Sequence, residues 1–322
     1  MNLTNAFTPR SRARRTATLP LGIDIGAART RVALVELDNA GAPRLVAVAA
    51  RPSGDDAAGA IVEAREELGS RERRCVLAVA APDALLRTAA FPAMSSADRA
   101  RAARFEAARF VSFPLEQASV RVVPADADRS VIGIARRTAL ESRTAAATRA
   151  GLRAVAVDDA AFALLRAFPS ADAVVDVGET TTALVVRSEP LPSIKTFPLG
   201  GRAFTAAIVA SLGLDEAAAE QRKRSIGMAG AGDYAREALV EQLASALIEH
   251  RASARAELRT IVLTGNGARL PGLADALERA VAIPVRLGAI TDTSQSLPAD
   301  VVRAASPDWA LAYGLALWSC AA

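Results

Sequence analysis

The sequence predicts an α/β protein built from two related halves around a cleft, and three observations predict it. The pattern Leu-Gly-Ile-Asp24-Ile-Gly26-x-x-x-Thr30 returns as Val-Val-Asp176-Val-Gly178-x-x-x-Thr182, at a constant offset, since 24, 26 and 30 plus 152 give 176, 178 and 182. Each copy reads as a buried strand ending in a carboxylate, a glycine turn, and a returning strand, Val32 to Leu37 or Ala183 to Val186. A third motif, Ile261-Val262-Leu263-Thr264-Gly265-Asn266-Gly267, again runs a strand into a glycine turn, ahead of a helix opening near Pro271. One Asp-x-Gly turn is ordinary loop chemistry, but two in matched context are built to hold something. Glycine lets backbone N–H groups approach phosphate oxygens without a Cβ in the way, and a strand-end Asp can hold hydrated Mg²⁺ beside them.

Apolar periodicity places the other elements in order. Strands near 21–25, 31–37, 43–50 and 75–80 and a helix near 57–68 form the first core. A segment of different character follows: strand-like Leu85 to Phe91, a helix from the Ser95/Ser96 cap to about Phe110, then strands Val120 to Pro124 and Val131 to Arg136. It reads as a small inserted α+β unit, with Phe105 packing the helix on its own sheet. A helix over 139–150 and strand Ala154 to Val157 lead back to the core. The second half starts near Ala171, with strands 173–177, 181–187 and 192–198 and helices 202–212, 215–225 and 233–256. Strand 260–264, helix 271–281, strand 284–287 and a closing helix near 307–319 complete it.

Composition narrows the function. With 322 residues, 51% of them hydrophobic, the chain can bury a sizeable core, and its length favours two domains. No apolar run approaches the roughly 18 residues of a membrane span, and no apolar block marks a signal peptide, so the cytoplasm is expected. Two cysteines and one histidine exclude a disulfide framework, Ser-His-Asp catalysis and multi-histidine zinc sites. A net charge of +4 raises the question of nucleic acid, but the bases are scattered over amphipathic helices among acids and read as a solvated surface. The one basic block, Arg10, Arg12, Arg14 and Arg15, lies on a leader read as disordered. Lysine occurs only at Lys195 and Lys223, which singles out Glu220-x-x-Lys223.

At these motifs the chain resembles the superfamily of actin, heat-shock chaperones and sugar kinases, and within it the PilM family of type IV pilus assembly. The more specific stretches are Glu106-Ala-Ala-Arg-Phe-Val-Ser-Phe113-Pro114-Leu115, Val157-Asp158, Leu199-Gly200-Gly201-Arg202-x-x-Thr205, Ala219-Glu220-x-x-Lys223, Leu270-Pro271-Gly272-Leu273 and the closing Asp308-Trp309 helix. The resemblance implies an actin-like (ribonuclease H-like) duplicated fold with an inserted α+β subdomain in the first half. Its parts are a leader 1–19, a first core domain 20–84 and 137–170, the insertion 85–136, a second domain 171–305, and a closing helix 306–322 on the first domain. It implies ATP and Mg²⁺ in the cleft. Asp24 and Asp176 are the candidates for the hydrated ion. Gly26, Gly178 and the amides after them face phosphate, with Ala27, Arg29 and Arg31 on the first hairpin and a hydroxyl from Thr181 or Thr182 on the second. Gly200 and Gly201 open a helix toward an anion. Glu220 and Lys223 either face ribose or base or form a surface i,i+3 ion pair, and Gly265, Asn266 and Gly267 pass close to the adenosine. The implied partner is the N-terminal cytoplasmic peptide of a PilN-like inner-membrane protein, in a groove bordered by Phe105, Arg109, Phe113, Pro114 and Leu115, with other pilus assembly proteins beyond it.

Departures from the family pattern limit the chemistry. Ala27-Ala28-Arg29 replaces a serine-rich turn, Arg31 a common lysine, and Gly265-Asn266-Gly267 a glycine pair. Ala160 stands where relatives often carry a water-orienting glutamate; the remaining candidate bases are Asp159, about 100° away around a helix, and Glu179. At most slow ATP hydrolysis is expected. The alternatives are an FtsA-like division protein, which usually carries a C-terminal membrane anchor, and a small-molecule kinase, which needs a substrate cleft for which no extra domain is read.

Overall fold

A computed structural model describes residues 17–126, 128–254, 257–290 and 306–320. In the first half, β2 (Leu21–Ile25) runs antiparallel to β3 (Arg29–Leu37) and parallel to β5 (Arg74–Val79), which pairs in parallel with β9 (Arg153–Asp159). β4 (Pro43–Pro52) covers the outer edge of β3. The period of 2 along β3 sorts its side chains: Val32 and Leu34 pack with α1 (Ala57–Glu67) and α3 (Arg137–Arg149), while Ala33 and Val35 face α4 (Ala160–Ala167) and α9 (Ala310–Ala316).

The second half repeats the plan. β10 (Ala173–Val177) pairs antiparallel with β11 (Thr182–Val186) and parallel with β13 (Ile261–Thr264), flanked by β12 (Ser193–Phe197) and β14 (Val285–Leu287). Val175, Val177 and Leu184 face α5 (Gly201–Leu212), α7 (Asp233–Ala254) and α8 (Leu273–Val281). Val174, Val185 and Val262 face the α4 and α9 layer, which therefore lies between the two sheets. The layer is tight because glycines admit it: a Cβ on Gly22 would overlap the Ala312 carbonyl, and one on Gly314 the Ala163 carbonyl. A third sheet, β6 (Ala84–Ala90), β8 (Arg129–Arg136) and β7 (Ala118–Pro124) in that order, carries α2 (Ser96–Ala107). No helix among the described residues is long and apolar enough to cross a membrane.

Three local expectations are corrected. The leader read as disordered lies outside the described residues through 16, but Ala17–Thr18 forms β1 against Glu36 and Leu37. β3 outruns β2 there and leaves backbone groups for another strand to pair. α2 ends at Ala107, short of Phe110, and buries the small side chains Ala103 and Ala107; Phe105 is 79% exposed rather than packed on the sheet. The third glycine motif continues into a 3-10 turn over Asn266–Arg269, so α8 begins at Leu273, beyond Pro271. The last residues expected in the second half, 291–305, lie outside the described part.

Candidate functional site

Both hairpins close with the same bond: the Gly26 N–H donates to the Arg29 carbonyl at 3.1 Å, and the Gly178 N–H to the Thr181 carbonyl at 2.9 Å. The glycine amides are thus engaged in their own turns. The amides that follow, of Ala27 and Ala28 and of Glu179 and Thr180, have no hydrogen-bond partner among the described residues. The two turns meet across one cavity of about 450 Å³ that holds Asp24, Gly26, Ala27, Arg29, Arg31, Asp176, Gly178, Thr181, Gly265 and Asn266. A neighbouring cavity of about 300 Å³ shares Arg29, Gly178 and Asn266 and adds Gly201, Glu220, Lys223 and Gly267.

Antiparallel register puts Asp24 opposite Arg31 and Asp176 opposite Ala183, so of the two strand-end carboxylates only Asp24 has an arginine as its cross-strand neighbour. Arg31 Nη1 lies 3.5 Å from Asp24 Oδ2 and its Nε 3.8 Å from Asp308 Oδ2; that buried Nε has no hydrogen-bond acceptor. Asp308 also accepts from Arg269 at 3.1 Å. Burial pushes the Asp176 carboxyl up to about 6, helped by the Asp24 charge and opposed by Arg31. Burial also raises Asp24, against the pull of Arg31 and Arg143. Gly265 closes over Asp176 at φ +83°, and a Cβ there would stand 2.5 Å from both Asp176 Oδ1 and the Val177 carbonyl.

Several expected donors are used otherwise. The Thr182 hydroxyl is buried and donates to the Leu199 carbonyl at 2.7 Å, which leaves Thr181 as the exposed hydroxyl. The Gly201 N–H donates to the Gly178 carbonyl at 2.9 Å, so it is not free for an anion; Gly200 lies under the hairpin, where a Cβ would stand 2.7 Å from the Gly178 carbonyl. Asp159 is not one step around a helix. It is the extended N-cap of α4, its carboxylate accepting the Ala161 N–H at 2.9 Å, and burial pushes it up to about 6. With Ala160, Asp176 and Thr181 it borders a smaller cavity of about 120 Å³. Glu179 lines both larger cavities and pairs at 3.7 Å with Arg202.

Glu220 and Lys223 form an ion pair at 2.5 Å on α6 (Glu216–Ile226), partly buried rather than on the open surface, and both line the 300 Å³ cavity. Lys223 donates to the Gly201 carbonyl at 2.9 Å and to Thr205 at 2.8 Å, tying α6 to the start of α5. Burial opposes ionisation of Glu220, but hydrogen bonds from Lys223, Thr205 and Arg224 together bring it down to about 2. Arg143, Arg224, Arg269 and Asp308 also line the cleft, and the motif reading missed them.

On the third sheet, Phe113 and Leu115 join the packed cluster, with the Arg136 guanidinium 4.1 Å from the Phe113 ring centre. Pro114 is exposed. Phe105 and Arg109 are outward-facing, the latter paired with Glu106 at 2.9 Å.

The sequence pattern of the family described as "Type IV pilus assembly protein PilM" matches residues 22–320. The chain belongs to the PilM family. No protein of curated function matches it. Among solved structures it is similar to a PilM–PilN type IV pilus biogenesis complex, at 27% identity and a TM-score of 0.77, over 92% of this chain and 97% of that one. It is also similar to the ethanolamine utilization protein EutJ from Carboxydothermus hydrogenoformans, at 18% identity and a TM-score of 0.55, over 94% and 89% of the two chains. This PilM-family chain thus has the actin-like fold.

Proposed function

We propose that this PilM-family protein binds Mg·ATP between its halves and, in that state, holds the N-terminal cytoplasmic peptide of a PilN-like inner-membrane protein. It then acts in the cytoplasm as an assembly scaffold, at the inner membrane through that partner and beside other pilus assembly proteins. The observation that carries the nucleotide reading is the pair of facing hairpins, whose strand-end carboxylates and free amides open on one cavity. The similarity to the PilM–PilN complex supports the partner.

The residues fit Mg²⁺. Two carboxylates offer hard oxygen donors, and no three His, Cys, Asp or Glu side chains converge among the described residues, so an ion here is held through water and phosphate oxygens. Asp24 and Asp176 hold its water shell, and the ion, when bound, neutralises phosphate charge. Arg29, Arg31 and Arg143 offset the remainder, Thr181 adds a hydroxyl, and the smaller cavity beside Glu220, Lys223 and Gly267 receives the nucleoside. Because Asp24 and Asp176 belong to different halves, a ligand that engages both fixes the angle between them. Asp159 is occupied in capping α4 and Ala160 offers no carboxylate, so turnover is slow.

Exposed Phe105 and the Phe113–Leu115 turn provide the peptide groove. The test is titration of the PilN-like peptide with and without Mg·ATP. We expect the nucleotide to tighten binding by about fivefold or more, and Phe105→Ala to weaken it by roughly tenfold or more, as befits a newly buried phenyl. Peptide affinity indifferent to both changes counts against the scaffold reading.

A further inference from the structure

β8 (Arg129–Arg136) runs into α3 (Arg137–Arg149) with no loop between them, so the last strand of the third sheet and this helix are one continuous piece of backbone. At the junction, two arginines hold the Phe113–Leu115 turn and the segment after it. Arg136 lies over the Phe113 ring, and Arg137 donates to the Glu116 carbonyl at 3.4 Å and the Ala118 carbonyl at 3.2 Å. Six residues further, about 9 Å along the axis at ~1.5 Å per residue, Arg143 lines the 450 Å³ cavity between the phosphate hairpins. It makes no hydrogen bond and no ion pair with any described residue, although it is half-buried in a cleft that also holds Asp24, Asp176 and Asp308.

An arginine held at a cleft without a partner is poised for an anion, because its planar donor fork matches phosphate oxygens. The anchoring of α3 is uneven. Ala146 and Ala147, in its second half, pack into the core with Cys75 and Leu77, whereas Ala139 is the one buried residue of its first two turns. The end of α3 that carries the arginine clamp is therefore the end that a ligand can still order.

We propose that Arg143 is a positioning residue: it contacts the triphosphate end of the bound nucleotide and, through α3 and the Arg136–Arg137 clamp, orders the Phe113–Leu115 turn for the partner peptide. This rests on the nucleotide and peptide-groove readings given above. It assigns a physical carrier to the coupling, one helix touched by the ligand at its middle and by the peptide turn at its N-terminal end.

The test compares wild type, Arg143→Gln and Arg143→Lys in the full chain, by the ratio of peptide Kd without nucleotide to peptide Kd at saturating Mg·ATP. Saturation matters because removing Arg143 also weakens nucleotide binding. The expected wild-type ratio is about five or more. Arg143→Gln brings it to near 1, and Arg143→Lys gives an intermediate value because it keeps the charge. Hydrogen exchange gives the second readout: Mg·ATP slows exchange at residues 112–118 in wild type and leaves it unaltered in Arg143→Gln. A wild-type ratio retained in Arg143→Gln, or a lysine variant no better than the glutamine variant, overturns the inference while leaving the nucleotide reading intact. Wild-type protein that binds no Mg·ATP overturns both.

Discussion

Asp176→Asn separates a carboxylate that serves a ligand from one that holds the fold. In the folded protein burial raises this group from 3.8 to about 6, with the Asp24 charge adding and Arg31 opposing. A raised pKa means the proton is held more tightly in the folded state. The favourable contribution is complete below pH 3.8, where the group is neutral folded and unfolded, and it is lost as the pH rises toward 6. A shift of about two units corresponds to about 3 kcal/mol, at 1.36 kcal/mol per unit. Without ligand at pH 7.5, Asp176→Asn should therefore be more stable than wild type by up to about 3 kcal/mol, and the gain should vanish by about pH 4. Urea unfolding at pH 4, 5.5 and 7.5 measures this directly. Mg·ATP should reverse the order at pH 7.5, because ligand binding stabilises the wild type by mass action and the variant has lost the carboxylate that holds the hydrated ion. A variant less stable than wild type at every pH would refute the reasoning and make Asp176 a structural partner of the arginines.

Two other outcomes follow from the geometry. Gly265→Ala places a Cβ against Asp176 and Val177 on a backbone at φ +83° and ψ 166°, a conformation that costs other residues about 1–3 kcal/mol. Gly41→Ala at φ +85° meets nothing within 4 Å, so Gly265→Ala should melt lower than Gly41→Ala and also lose Mg·ATP affinity by tenfold or more; equal melting points and affinities count against the crowding at Asp176. Phosphate release should show wild-type turnover well below about 1 per second, rising in Ala160→Glu if the carboxylate reaches attacking water. A wild-type rate within the range of working enzymes would show that another residue serves as base.

The fold class was legible because it is written in local chemistry. The strand, carboxylate and glycine turn at Asp24 and at Asp176 each need only six or seven neighbours in sequence, and the offset between them exposes the duplication. Side chains whose role depends on distant backbone were not legible. The hydroxyl of Thr182 turns away from the cleft because the Leu199 carbonyl, 17 residues away, accepts it. Phe105 faces solvent because α2 seats itself through Ala103 and Ala107, residues too small to outweigh a phenyl in an apolar pattern. Arg143 and Arg224 enter the cleft from amphipathic helices where they resemble any surface arginine. Asp308 was visible as the opening of the closing helix, but its grip on Arg31 and Arg269 depends on how that helix docks between the sheets.

The central claim is that the two strand-end carboxylates together hold a magnesium nucleotide, and calorimetric titration of Mg·ATP into wild type, Asp24→Ala and Asp176→Ala tests it most directly. The account predicts saturable binding to wild type and a loss of tenfold or more in each variant, consistent with about 1.5–3 kcal/mol for an interaction with a charged group, while far-ultraviolet circular dichroism stays unchanged. Wild-type affinity in both variants, or no binding by the wild-type protein, would contradict it.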